Sequence, residues 1–92
     1  ILDMEEMACE LLGILRADYP EVLLERYKLQ EPLNEDNYEL LHDIGRKRGM
    51  LISGGEIDLE RASIMLLDEY RGGKLGRITL DLLPKGEVLT DA

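Results

Sequence analysis

Apolar residues recur at helical spacing from the start of this chain. Met4, Met7, Ala8, Leu11, Leu12 and Leu15 obey the i, i+3, i+4, i+7 rule, which gathers them into one stripe of an α-helix and scatters them over both faces of a strand. The same period returns at Leu40, Leu41 and Ile44, and again at Leu59, Ala62, Leu66 and Tyr70. The apolar set is chiefly Leu, Ile and Met, with no Phe or Trp. Leu and Met suit helices, and the β-branched and aromatic residues that favour sheets are scarce. A 92-residue chain patterned this way folds as one all-α domain. Its core is modest, because a chain of this size buries only about 60–65% of its unfolded surface.

Cap and break signals divide the pattern into four helices. Asp3 followed by Glu6 has the spacing of a capping box and opens a helix predicted over 4–17. Gly13 in its middle costs about 1 kcal/mol against Ala and points to a close crossing by another helix. Asp18-Tyr19-Pro20 ends this helix, and Pro20 suits the first position of a second over 20–27, with Val22, Leu23 and Tyr27 inward. Residues 28–34, with Pro32, read as a loop. Asn34 or Asp36 caps a third helix over 36–48. Gly49 supplies the left-handed residue just past its end, and Gly45 one turn earlier weakens it. A connection over 50–56 holds Gly54-Gly55; Asp58 then caps a fourth helix over 59–71, closed by Gly72-Gly73. Ile78, Thr79 and Leu80 alternate as a short extended segment, and 81–92 reads as a frayed tail. The expectation is a small compact bundle of about four helices.

The chain carries 20 acidic and 11 basic side chains, for a net charge of −9, unevenly placed. Residues 1–45 hold 12 acidic and 3 basic groups, residues 46–77 hold 5 and 7, and residues 78–92 hold 3 and 1. Such acidity argues against sequence-blind nucleic-acid binding over the whole surface, which phosphate neutralisation drives. It leaves room for one basic face in the second half. The longest apolar runs are far short of the roughly 20 residues that a membrane span needs, so no membrane partner is expected. A single cysteine, Cys9, allows no internal disulfide and suits a reducing, cytoplasmic setting. The opening Ile1-Leu2-Asp3 reads as the interior of a longer polypeptide.

No catalytic constellation emerges. Arg71-Gly72-Gly73-Lys74-Leu75-Gly76 has Leu after its lysine and no strand ahead of it, so a helix cap and turn is the better reading than a phosphate loop. Ser53-Gly54-Gly55 has only Glu56 beside it as a base. His42 sits at the border of a core stripe, and one His with one Cys offers no ready metal set. Cys9 reads as a small hydrophobe at a stripe edge. The carboxylates of the first two helices are solvated faces.

Two basic groups stand apart. Arg46, Lys47 and Arg48 close the third helix, where complementing the helix dipole and contacting an anion are equally open readings. Arg71, Lys74 and Arg77 follow the fourth on a glycine-rich segment, where missing side chains let backbone N–H groups approach phosphates.

Four blocks carry a resemblance: Tyr19-Pro20-Glu21-Val22-Leu23-Leu24-Glu25-Arg26-Tyr27-Lys28-Leu29; Ile44-Gly45-Arg46-Lys47-Arg48-Gly49; Gly54-Gly55-Glu56-Ile57-Asp58; and Arg71-Gly72-Gly73-Lys74-Leu75-Gly76-Arg77-Ile78-Thr79-Leu80. In order and in spacing, over roughly residues 1–80, they resemble the C-terminal region of the ribosome biogenesis GTPase A family. Tyr70 departs from the Phe expected there. The resemblance implies that 1–80 is the helical C-terminal domain of a larger GTPase, similar to RNA-binding antitermination modules and working in the cytoplasm on the large ribosomal subunit. It implies that GTP and magnesium bind an upstream, circularly permuted GTPase domain, so this fragment holds no cofactor and is not an enzyme by itself. Carried onto this sequence, the RNA-facing candidates are Arg46, Lys47, Arg48, Arg71, Lys74 and Arg77. The expected partner is ribosomal RNA of the large subunit. The alternative is a protein-interaction module whose acidic helices meet ribosomal proteins or its own GTPase domain.

Overall fold

Each helix forms within a residue of its predicted bounds. The computed structural model describes residues 3–76 and 78. In it α1 runs Met4–Asp18, α2 Pro20–Tyr27, α3 Asn37–Lys47 and α4 Leu59–Arg71. The caps follow the carboxylates. Asp3 accepts from the N–H groups of Glu5 and Glu6 at 3.1 and 3.2 Å. Asp58 accepts from that of Arg61 at 3.0 Å. Of the two candidates ahead of α3, Asp36 is the cap, accepting from Tyr38 and Glu39 at 2.8 and 3.1 Å. Asn34 instead braces the cap by accepting from the Asp36 N–H at 3.0 Å.

α1 packs against each of the other three helices, and α3 packs against α4. The apolar stripes meet there: Leu11, Leu12, Leu15, Leu23, Leu40, Leu41, Ile44 and Leu66 are buried. Met7 departs from its stripe and lies at the surface, 39% exposed. Among the described residues no helix is long and apolar enough to cross a membrane.

Gly13 marks the crossing its position suggests, because a Cβ there would lie 2.9 Å from the Asn37 side-chain nitrogen. Gly45 does more than weaken a helix end. It is buried, and a Cβ on it would stand 2.6 Å from Ile57 Cγ2, so its missing side chain admits the segment before α4. Its cost to local helix propensity is offset by that contact. The 50–56 connection is also more ordered than a plain loop. Leu51 and Ile57 form an antiparallel bridge, the Ile52 N–H donates to Glu56 O at 2.9 Å, and Gly54 and Gly55 turn the chain at φ 94 and 87. Arg77, Thr79, Leu80 and the tail 81–92 lie outside the described residues.

Candidate nucleic-acid interface at the helix C-termini

Tyr27, Arg48 and Glu69, from the C-terminal ends of α2, α3 and α4, meet at one place. Glu69, in the last turns of α4, faces inward with its side chain only 12% exposed. Its Oε1 accepts from Arg26 Nε at 3.2 Å and from the Tyr27 hydroxyl at 2.8 Å. Its Oε2 accepts from Arg48 Nη1 at 3.1 Å. The Arg48 guanidinium lies 4.9 Å from the centroid of the Tyr27 ring, a cation–π contact. A buried carboxylate is tolerated only when its charge and lone pairs are matched, and here three donors match them.

Protonation follows this geometry. Burial alone pushes the Glu69 carboxyl up, but the hydrogen bonds from Arg26, Tyr27 and Arg48 together outweigh it, so the group sits below the ordinary glutamate value. Burial first, and then the bond to Glu69, push the Tyr27 phenol well above its usual range. The same carboxylate, bonded to Arg26, holds that guanidinium still more firmly protonated. Cys9 is a free thiol raised by burial and then by the nearby Glu5, Asp36 and Asp3 charges, which makes it a poor nucleophile.

The six residues singled out in the sequence part company. Arg48 belongs to the Glu69 cluster. Lys74 adjoins it, since its backbone N–H donates to Glu69 O at 2.9 Å. Lys74 also lines a cleft of about 480 Å3 with Arg26, Lys28 and Glu25. Arg46 and Lys47 line a different cleft, of about 290 Å3, against the α2–α3 loop, and Arg46 pairs with Asp43 at 3.0 Å. Arg71 pairs with Asp68 at 2.9 Å and borders a third, apolar cleft with Met4, Met7 and Tyr70. Among the described residues the basic side chains are thus dispersed: Arg48 joins the Glu69 cluster, Lys74 lines the first cleft, and Arg46, Lys47 and Arg71 line the other two. Arg77 lies outside the described residues.

Sequence reasoning passes over Arg26, Tyr27, Lys28 and Glu69 as site residues. A signal for Glu69 exists: it falls seven residues after Ala62 and three after Leu66, on the apolar stripe of α4, where an acid requires partners. Among the described residues no group of three His, Cys, Asp or Glu side chains could hold a metal ion.

No protein-family model matches the sequence. Curated relatives do. The chain is 44% identical over 81 residues to ribosome biogenesis GTPase A of Bacillus cereus, which covers 88% of this chain and 27% of that protein. It is 41% identical over 81 residues to the protein of the same name from Priestia megaterium and 33% identical over 81 to that of Bacillus licheniformis, covering 28% of each. The chain therefore spans little more than a quarter of the length of these relatives. Over nearly nine-tenths of its own length, this chain belongs to the ribosome biogenesis GTPase A family, as a segment of it.

Proposed function

We propose that this chain is the accessory C-terminal RNA-docking domain of a cytoplasmic GTPase that assists assembly of the large ribosomal subunit. GTP and magnesium belong to the remaining part of that protein, and the helical bundle positions it on ribosomal RNA. The reading is carried by one observation: in a chain of net charge −9, the exposed lysines Lys28, Lys47 and Lys74 form no ion pair among the described residues. Their ammonium groups are available to phosphates, whereas Arg48 is engaged by Glu69 and supports the fold. Such contacts fix register and orientation and carry no base sequence.

Binding of the chain to large-subunit RNA across a salt series tests this. Replacing Arg46 and Lys47 with Gln should reduce the slope of log affinity against log salt by about 1 for each phosphate no longer neutralised. A slope equal to that of the unaltered chain would remove these two residues from the interface.

A further inference from the structure

Lys28 is the only non-glycine among the described residues with a positive φ, at 56, in the left-handed region. Glycine is relaxed there, and a residue with a Cβ is strained. Its structural duty is backbone capping. The Lys28 N–H donates to Leu24 O, and the Leu29 N–H donates to the same carbonyl at 3.1 Å. A glycine would perform that duty with less strain, so the cap gives no reason for the ammonium.

The lysine side chain is exposed and lines the 480 Å3 cleft between α2 and the turn after α4. Lys74 lines the same cleft from the turn after α4. The end of α4 is likewise closed by backbone groups: Gly72 N–H donates to Asp68 O at 2.8 Å and Lys74 N–H to Glu69 O at 2.9 Å. Neither lysine side chain is needed to satisfy a helix end. α2 and the turn after α4 are tied by Glu69, whose side chain holds Arg26 and Tyr27 and whose carbonyl holds the Lys74 backbone. With Arg26 engaged by Glu69, the cleft presents two unengaged ammonium groups against the single carboxylate of Glu25.

We infer that this cleft, lined by both Lys28 and Lys74, seats a phosphodiester of the RNA backbone, and that the strained backbone at position 28 is tolerated for that contact. The inference rests on the docking function proposed above and adds a site on α2 to it. Contact here is sequence-blind, so it adds affinity and salt dependence with no base preference.

The test is K28G in this chain, measured for thermal stability and for binding to large-subunit RNA over a salt series. Expected is a melting temperature equal to or above that of the unaltered chain, with a salt slope smaller by about 1 and K74Q reducing it by a similar amount. Should K28G lower stability, K28N supplies an uncharged residue that tolerates the left-handed region and gives the same reading of the slope. A K28G or K28N slope matching the unaltered chain, while R46Q/K47Q reduces it, overturns the cleft and leaves the docking function standing. Salt-independent or absent RNA binding by the unaltered chain overturns both.

Discussion

At Gly45 the missing side chain is filled by Ile57, whose Cγ2 would be 2.6 Å from an added Cβ. Ala raises helix propensity by about 1 kcal/mol relative to Gly, yet overpacking a well-filled site costs about 1–3 kcal/mol. G45A is therefore expected to lower stability by up to about 2 kcal/mol on balance, read as a reduced urea midpoint with an unchanged slope. An increase would mean that Ile57 moves aside freely. Gly45 also shows where the sequence stops being legible. A glycine in a helix is visible in the string, and its helical penalty is local; the side chain it makes room for comes from beyond the next turn. Glu69 is intermediate. Its place on an apolar stripe is readable, but the identity of its donors depends on the α2–α4 approach.

Among the elements, α3 is short and begins at a single cap. The Asp36 carboxylate satisfies two first-turn N–H groups, and α3 contributes Leu40, Leu41 and Ile44 to the core. D36A should cost about 1 kcal/mol of stability, seen as a lower melting temperature. N34A, which removes only the brace on that cap, should cost less. α1, α3 and α4 are readable because apolar period, a capping acid at the start and a glycine or proline after the end agree, whereas α2 is announced by Pro20 alone and ends at Lys28 without such a signal. The 50–56 segment reads only as a connection, since the bridge that closes it joins Leu51 to Ile57 without an alternating run to announce it. Of the site, the basic residues are visible as runs along the chain. Their division among three clefts is not, because spacing along one helix says nothing about the angle at which another meets it.

For the whole molecule, the Glu69 cluster links stability to pH. Its carboxyl lies below the ordinary glutamate value in the folded state, so the folded chain holds that proton less tightly than the unfolded chain does. The contribution is complete above the usual glutamate value of about 4.3 and is lost as pH falls through the lower native value. The unaltered chain should therefore lose melting temperature on acidification more steeply than E69Q, which begins lower at neutral pH. Parallel curves for the two would show that other carboxylates govern the acid response. α2 joins α1 directly through Tyr19 and reaches α4 through that same carboxylate. Leu23 and Tyr27, both buried, hold its inner face in the core, and the Glu69 bonds add a polar clamp at its C-terminal end. That clamp ends next to Lys28 in the chain, so the carboxylate that governs the acid response also helps fix where the C-terminal end of α2 sits against α4.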